Sequence, residues 1–343
     1  MKLIVQIPCL NEAKTLADTV KDIPKEIEGV DCVEILVVDD GSTDRTVEVA
    51  RECGVDHIIQ HKQNKGLARA FMTGLETSLS LGADIIVNTD GDNQYYGGDI
   101  PKLVKPIISG KADIEVGNRE IDEIDHFGYV KKKLQRTGSM LVRWISKARS
   151  PDAVSGFRAL SREAAMQINI ISPYSYTIET LIQAGNKFLL VANVKIRTNP
   201  KTRESRLFKS IPQFIYNQAS TMVRMYTMFK PLRVFFILGF LVLIGGLIPS
   251  VRFLFFYLKG EGGGHIQSLI LAAVLLMIGV QMLVLGLIGD VISHNRKLIE
   301  ETLLRVRRLD CDNNKPSEKV VKENMELKEK SFHVSVAPKP DDL

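Results

Sequence analysis

The sequence is poor in the residues that build disulfide frameworks or zinc sites. Its 343 residues contain four cysteines, and no two of them are spaced as Cys-x-x-Cys. Three of the four lie in apolar stretches, where we expect small buried side chains in a reducing compartment. The cysteines are Cys9, Cys32, Cys53 and Cys311.

Three other signals are missing. No long basic run interleaved with aromatics accompanies the formal net charge of +5, which argues against nucleic-acid binding. No Gly-x-Gly-x-x-Gly follows the first apolar run, which argues against a nicotinamide enzyme. That run, residues 3–8, is too short for the hydrophobic region of a signal peptide. We therefore expect the chain before residue 230 to lie in the cytoplasm.

Short apolar runs alternate with amphipathic stretches over the first 117 residues. The apolar runs predict strands and the stretches between them predict helices. This alternation is typical of an α/β domain with a mostly parallel sheet, helices on both faces, and ligands bound beyond the carboxyl ends of the strands. We predict strands at 3–8, 33–39, 55–59, 84–89 and 113–117, and helices at 12–26, 43–53, 66–81 and 99–109.

Acidic residues cluster at the carboxyl ends of two predicted strands. Asp39 and Asp40 follow one strand, and Asp90 and Asp92 flank Gly91 after another. Hard divalent cations prefer oxygen ligands and usually keep phosphate oxygens and water in their coordination shell. One carboxylate of the Asp-x-Asp pair can hold a metal while the other holds a sugar or ribose, and the glycine lets the backbone approach the ligand.

The last third of the chain contains two long apolar segments. Residues 232–258 and 266–290 are each long enough to span a bilayer. The connecting loop is short, and Lys and Arg flank the pair on its outer sides, which predicts a hairpin with both termini in the cytoplasm. Two preceding stretches, 130–148 and 211–229, have apolar residues at helical spacing and are candidates for helices at the membrane surface. The pattern of 130–148 fits equally a helix that faces the core and has a solvated basic face.

Four motifs in order resemble a known family. They are Pro8-x-x-Asn11-Glu12, Val38-Asp39-Asp40-Gly41-Ser42-x-Asp44, Asn64-x-Gly66 and Asp90-x-Asp92-x-Gln94. Together they resemble the GT-A fold of family 2 glycosyltransferases, and within it the polyprenyl-phosphate glycosyltransferases, the group that includes dolichol-phosphate mannose synthase.

The resemblance covers roughly residues 1–230 and the hairpin that follows. We expect the GT-A domain at 1–209, an amphipathic interface helix at 210–230, the transmembrane hairpin at 231–293, and a cytoplasmic helix with a mobile tail at 294–343.

The resemblance also implies roles for individual residues. Asp92 and Gln94 would hold Mg²⁺ or Mn²⁺, and Asp90 would orient the donor sugar. Arg119 would lie near the acceptor phosphate, so Asp90, Asp92 and Arg119 are the predicted catalytic residues. The nucleotide-sugar would contact Pro8, Asn11, Glu12, Asp39, Asp40, Arg69, Asp90 and Asp92. Lipid phosphate or diphosphate would contact Arg119, Lys133, Arg136, Ser139, Arg203 and Arg206.

Two segments bear on how far the family pattern holds. Asp152-x-x-Ser155-Gly156-Phe157-Arg158 matches a family segment close to the active site. In 203–207 the family has glycine before Ser205 and lysine after it, whereas this chain has Glu204 and Arg206. The phosphate contacts of that loop are therefore open.

The implied activity is metal-dependent, inverting transfer of a sugar from a GDP- or UDP-linked donor to a polyprenyl or dolichyl phosphate at the bilayer, and it leaves open a homo-oligomer. One alternative is a processive polysaccharide synthase, whose Gln-x-x-Arg-Trp motif has Met140 in place of Gln before Arg143-Trp144. The other is a non-catalytic membrane scaffold with the same fold, which predicts damaged acidic motifs.

Overall fold

A computed structural model describes residues 1–119, 140, 151–172, 176–200 and 211–313. Its described strands form one seven-stranded sheet in the order β3-β2-β1-β4-β6-β5-β7. The strands are β1 (Lys2–Cys9), β2 (Cys32–Asp39), β3 (His57–Gln60), β4 (Ile85–Asn88), β5 (Ile114–Asn118), β6 (Arg158–Ser161) and β7 (Val191–Lys195).

Nine α-helices are found in the described ranges. Six belong to the sheet domain, and the three longest come last in the chain. They are α1 (Leu16–Lys21), α2 (Thr46–Glu52), α3 (Leu67–Ser80), α4 (Ile100–Ile108), α5 (Arg162–Gln167), α6 (Tyr176–Asn186), α7 (Ile211–Phe229), α8 (Pro231–Leu258) and α9 (Ile266–Asn313).

The predicted α/β fold class is confirmed, with one qualification about strand direction. Strands β1 to β4 pair in parallel, as do β5 and β7. Strand β6, which the sequence did not predict, is antiparallel to both β4 and β5. The sheet is therefore mixed, and the reversal at β6 brings residues 151–157 to the end of β4.

Two apolar layers cover the faces of the sheet. One contains Phe71 and Leu75 of α3 with side chains of α5 and α6. The other contains Leu103 of α4 and Leu16 of α1. Because both faces are buried, the central strands are nearly continuous runs of Val, Ile and Leu, as expected for such a sheet.

The first helix is shorter than the predicted 12–26. Its backbone is preceded by Asn11, whose φ of 55° lies in the left-handed region, and the amide of Glu12 donates to Thr46 Oγ1 at 2.9 Å. Pro24 disfavours helix for the residue before it. Tethering at one end and proline at the other leave six residues, Leu16–Lys21, in the helix.

Helices α8 and α9 pack against each other as a hairpin of two apolar helices, and each is long and apolar enough to cross a membrane. Glycines allow close approach: a Cβ built on Gly239 would lie 3.1 Å from the carbonyl oxygen of Gly279, and one on Gly246 would lie 3.1 Å from Cβ of Leu275. Small residues at such interfaces are typical of membrane helices. Helix α9 continues past residue 290 to Asn313, and residues 314–343, the predicted tail, lie outside the described residues.

Glu115 of β5 gives a pH-dependent stability. Its side chain is buried between strand neighbours Ala159 and Ala192, and Oε2 has no hydrogen-bond partner among the described residues. Burial raises the pKa of this carboxyl to about 7. The folded protein holds the proton of Glu115 more tightly than the unfolded chain does. Protonated Glu115 therefore adds to the free energy of unfolding at low pH, and that contribution is lost as the pH rises from about 4.5 to 7.

Replacing Glu115 with Gln should remove that loss. At pH 8 we expect the variant to gain about 3 kcal/mol in free energy of unfolding, and near pH 4 almost nothing. Thermal unfolding of purified protein in detergent across pH measures this, with exposed Glu28→Gln as the control. Parallel curves for Glu115→Gln and the unmodified protein would contradict the prediction.

Candidate active site

The carboxyl ends of β1 and β2 are held together by the first two motifs. The amide of Asn11 donates to Ser42 Oγ at 2.8 Å, and Asn11 Oδ1 accepts from the amide of Thr43 at 2.8 Å. Asp39 is fully buried and accepts from the amide of Ser42 at 3.2 Å. Asn and Asp suit these positions because their short side chains bond nearby backbone. Asn11 and Asp39 therefore shape this edge.

Asp40 organises the loop that leads into α3. Its carboxylate accepts hydrogen bonds from the amides of Lys65 at 2.9 Å and Gly66 at 2.8 Å. It also bonds His61 Nδ1 at 2.7 Å, and His61 Nε2 bonds Thr73 Oγ1 at 3.1 Å. An anion at a helix N-terminus is stabilised by the helix dipole. Asp40 therefore fixes the start of α3.

The acidic loop after β4 packs against the β1 motif. The carbonyl of Gly91 accepts from Thr15 Oγ1 at 2.8 Å, and Thr15 also bonds the Glu12 carboxylate at 3.2 Å. A Cβ on Gly91 would lie 2.9 Å from Cys9 Sγ. The glycine thus lets the loop pack against β1, and its predicted contact with a ligand stays a prediction.

A buried polar network lies beneath Asp90. Asn88 Nδ2 donates to the carbonyl of Gly156 and to Tyr176 Oη, both at 2.9 Å. The amide of Gly156 donates to Tyr95 Oη at 2.9 Å. A Cβ on Gly156 would lie 3.1 Å from both carboxylate oxygens of Asp90. The acidic carboxylate is therefore in contact with the backbone of the 151–157 loop.

Arg119 is joined to that loop by a bidentate ion pair. Its Nε and Nη2 donate to the two oxygens of Asp152 at 2.7 and 2.9 Å; the Asp152 side chain is fully buried and that of Arg119 is 13% exposed. Burial favours the neutral guanidine, but nearby Tyr95, Asp152 and Asp90 outweigh it and hold the pKa of Arg119 above its ordinary value. A permanent positive charge thus lies beside Asp90.

Arg158 has a different role. Its guanidinium is fully buried and donates to the carbonyls of Ser155 at 2.8 Å, Ala153 at 2.9 Å and Thr177 at 2.6 Å. Burial lowers its pKa to about 10. The hydrogen bonds fold the 151–157 loop and join it to α6.

The metal-binding residues predicted from sequence lie in a loop held by two segments. The amide of Gln94 donates to Asp92 Oδ1 at 3.2 Å. The backbone carbonyl of Gln94 accepts from the amide of Asn199 at 2.9 Å. Asp90, Asp92 and Gln94 are all partly exposed at the strand end. In the part of the chain that the structure describes, no three His, Cys, Asp or Glu side chains are grouped as a protein-only metal site.

The oxygen chemistry of that loop nevertheless fits a hard cation, provided that other ligands come from substrate. Mg²⁺ is commonly held by one or two carboxylates with phosphate oxygens and water. The partly exposed carboxylate of Asp92, with Gln94 beside it in the loop, meets that requirement.

The structure brings most predicted residues to one edge of the sheet. Pro8 is buried in β1 beside Val38, and Arg69 is exposed near the start of α3. The edge is completed by Asn11, Glu12, Asp39, Asp40, Asp90, Asp92, Gln94 and Arg119. The remaining predictions, Lys133, Arg136, Ser139, Arg203 and Arg206, lie outside the described residues, as do Arg143 and Trp144.

Sequence reasoning missed four side chains that support the site. Tyr95, Tyr176 and Asn88 bond around Gly156, and His61 bonds Asp40. Asn88 and Tyr95 lie within two or three residues of the Asp-x-Asp motif, which was a usable signal. Tyr176 and His61 reach the site only through tertiary packing.

Substituting Gly156 tests how finely the site is packed. Alanine would place a methyl 2.7 Å from Tyr176 Oη and 3.1 Å from Asp90. We expect the rate of the reaction at this site to fall about 10²-fold, because a displacement of reacting groups by about 1 Å can lower a catalytic rate by that factor. Steady-state kinetics measure it. The control is Gly263→Ala, which meets nothing within 4 Å; equal rates for the two variants would contradict the expectation.

Comparison with known proteins places this geometry in a family. A model described as glycosyl transferase family 2 matches residues 4–168. An uncharacterized protein of Methanocaldococcus jannaschii is 34% identical over 206 residues, covering 57% of this chain and 81% of that protein. The UDP-N-acetylglucosamine–dolichyl-phosphate N-acetylglucosaminyltransferase of Methanococcus voltae is 30% identical, covering 56% of this chain and 83% of that enzyme.

Two further comparisons are more partial. The dolichol-phosphate mannosyltransferase of Pyrococcus furiosus is 31% identical, over 60% of this chain and 59% of that enzyme. Glucosyl-3-phosphoglycerate synthase from Mycobacterium tuberculosis, crystallised with Mn²⁺, UDP-glucose and phosphoglyceric acid, matches with a TM-score of 0.53 and 21% identity, covering 66% of this chain and 79% of that chain. That likeness shows the fold. The chain belongs to the family 2 glycosyltransferases, has their GT-A fold, and groups with the polyprenyl-phosphate glycosyltransferases.

Proposed function

We propose that this glycosyltransferase moves a sugar from a GDP- or UDP-linked donor to a polyprenyl or dolichyl phosphate at the membrane surface, with inversion at the anomeric carbon. The observation that carries the proposal is that acidic Asp90 lies beside cationic Arg119, with Asp92 in the same loop as Asp90, and that two apolar helices follow the sheet domain. The activities for which the Methanococcus voltae and Pyrococcus furiosus relatives are named support a dolichyl-phosphate acceptor.

The acceptor needs little activation by the protein. A phosphate monoester has a second pKa near 6, so near neutral pH it is already largely a dianion that can attack the anomeric carbon. The protein must hold two anions together, and positive charge lowers the repulsion between them. Arg119, charged and fixed by Asp152, is placed to do this, because guanidinium groups bind phosphate oxygens in pairs.

The leaving nucleoside diphosphate gains negative charge as the sugar departs. Fixed positive charge and hydrogen-bond donors aimed at that charge lower the barrier. Asp92 and Gln94 would hold Mg²⁺ or Mn²⁺, which supplies Lewis-acid stabilisation of the diphosphate when bound. Asp90, fixed above the Gly156 backbone, would orient the donor sugar.

The membrane hairpin supports the lipid acceptor. A polyprenyl phosphate keeps its tail in the bilayer and its phosphate at the headgroups, so a soluble donor must meet it at that level. The basic residues at the outer ends of the two spans, among them Lys230, Arg233 and Arg296, favour cytoplasmic termini. The donor site would then face the cytoplasmic leaflet.

A substrate panel tests the proposal. Purified protein in vesicles would be offered GDP- and UDP-linked sugars with polyprenyl phosphate, with Mg²⁺, with Mn²⁺, or with excess chelator. We expect one donor to yield a lipid-linked sugar only when a divalent cation is present. Full activity in excess chelator would contradict the proposed role of the metal. Failure to use any polyprenyl phosphate would contradict the proposed acceptor.

A further inference from the structure

Helix α9 is far longer than a bilayer requires. Its 48 residues extend about 72 Å at 1.5 Å per residue, whereas the hydrocarbon core of a bilayer is about 30 Å thick. The apolar part ends near Ile292, and about twenty helical residues follow. Hydropathy accounts for residues 266–292 as a membrane span, but it does not explain why the helix continues over residues 293–313.

The far end of α9 is bound to the sheet domain. Arg307 Nη1 donates to the carbonyls of Met166 at 2.9 Å and Ile168 at 3.0 Å, at the end of α5. The last carbonyls of a helix lack partners within it, so Arg307 caps α5. Arg307 also pairs with Glu76 of α3 at 3.3 Å.

Apolar burial accompanies these bonds. Cys311 is 8% exposed, belongs to the core beneath α3, and its thiol contacts the carbonyl of Leu79. Leu304 packs against the same core. The helix is therefore part of the folded domain at this end.

The membrane-side end of the same segment is also fixed. Ser293 Oγ donates to the carbonyl of Met228 at 3.2 Å, and the guanidinium of Arg296 lies 3.9 Å from the ring centre of Phe229. Both partners are at the end of α7. Between the two attachments, Lys187, the residue after α6, pairs with Glu300 at 3.0 Å.

The contacts also give a direction. Arg307 meets Glu76 and Cys311 meets Leu79, so α9 runs parallel to α3 here. Helix α3 begins at Leu67, beside the loop fixed by Asp40, which is the acidic edge of the sheet. Following α9 back toward the membrane therefore leads toward that same edge.

Helix geometry converts this direction into a height. From Arg307 back to Ser293 is about 21 Å along α9, and from Glu76 back to Leu67 is about 13 Å along α3. The cytoplasmic end of the membrane-spanning part of α9, near Ser293, thus lies about 8 Å farther toward the membrane than the acidic edge. A sugar donor at the edge would lie near the headgroups.

We propose that residues 293–311 of α9 are a rigid strut that sets the height of the acidic edge above the bilayer. This inference rests on the proposed function, since height matters only if the acceptor phosphate is held in the membrane. A helix attached at both ends resists bending, whereas the short α7–α8 connection alone would let the domain tilt.

Lengthening the strut tests the inference. Seven alanine-rich residues inserted after Lys297 add two turns, which keeps the downstream face within about 20° and lengthens the helix by about 10 Å. We expect transfer to polyprenyl phosphate in vesicles to fall at least tenfold, while transfer to a short, water-soluble isoprenyl phosphate changes less than twofold. The matched control carries the same insertion after Gly263, in the loop between the two spans.

A second readout measures height without catalysis. A fluorophore on Lys62→Cys, with Cys32→Ser and Cys53→Ser, would report energy transfer to labelled headgroups. The strut insertion should lengthen that distance by several ångström, and the loop insertion should leave it unchanged. Unchanged distance, or equal loss with both acceptors, overturns the strut. A changed distance in a protein that uses no lipid phosphate would keep the strut and reject the proposed function.

A milder variant guards against misfolding. Arg307→Gln removes the cap on α5 and the ion pair with Glu76 without changing the length of the helix. We expect a smaller loss, about threefold, again confined to the membrane-held acceptor, with donor binding retained. Loss of donor binding would show a folding defect and overturn the specific role of this contact.

Discussion

Alanine in place of Asp92 is expected to lower sugar transfer about 10³-fold while the protein still folds and inserts into membranes. The carboxylate is partly exposed and belongs to a loop fixed independently by Asn199 and Thr15. Its removal costs the hydrogen bond from the amide of Gln94, but the bonds to Asn199 and Thr15 remain to hold the loop. The loss should therefore fall on the departure of the nucleoside diphosphate, where one group that stabilises developing charge is worth about 10²–10³ in rate.

Enzyme kinetics combined with metal titration test whether Asp92 acts through the metal. The rate of Asp92→Ala should no longer rise with Mg²⁺ or Mn²⁺ in the range that activates the unmodified protein. Glu28→Ala, an exposed acid outside the site, should keep both rate and metal response. Turnover of Asp92→Ala within threefold of the unmodified protein would remove Asp92 from the mechanism.

The sheet and its acidic edge could be predicted because each parallel strand is a local apolar run. β1 and β4 are buried over most of their length and β2 over its second half, and polar residues lie at or just beyond the carboxyl end of each. Carboxyl ends of parallel strands meet at one edge, so the acids after β2 and β4 had to lie near one another.

Strand β6 could not be predicted by the same reasoning. It begins with Arg158, a residue almost never fully buried without partners. Its burial depends on carbonyls of Ala153, Ser155 and Thr177, which come together only in the folded domain. No periodicity in the sequence predicts that these three carbonyls will surround Arg158.

The role of Asp40 shows a similar limit. The motif suggested a hydrogen bond to the nucleotide base, and that assignment stays a prediction. The structure adds bonds to His61, Lys65 and Gly66, which a turn motif does not reveal. Whether a carboxylate binds ligand, backbone or both depends on a loop more than twenty residues away.

The hairpin was predicted from hydropathy and a cytoplasmic helix was expected after it, but the docking of that helix on the sheet domain was not predicted. Beyond Ile292 the helix is rich in charged residues, so it has no membrane signal. Its apolar contacts, Leu304 and Cys311, are too few to predict a docking face. Only the contacts with α3 and α5 assign it to the sheet domain.

Breaking the Arg119–Asp152 pair from either side should give the second large effect. Asp152→Ala leaves a buried guanidinium without its carboxylate, which typically costs about 3–5 kcal/mol in free energy of unfolding. We expect a clear loss of thermal stability and of transfer. Arg119→Met replaces the cation with an apolar side chain of similar length, but leaves the carboxylate of Asp152 buried.

The double variant separates support from catalysis. Arg119→Met with Asp152→Ala removes both charges, so we expect it to regain stability relative to Asp152→Ala, because no unpaired charge is left buried. If Arg119 binds the acceptor phosphate, transfer by the double variant stays at least about 10²-fold low, with KM for the lipid phosphate raised more than KM for the donor. If the pair only braces the 151–157 loop, transfer returns together with stability, and Arg119 loses its place among the residues that touch substrate.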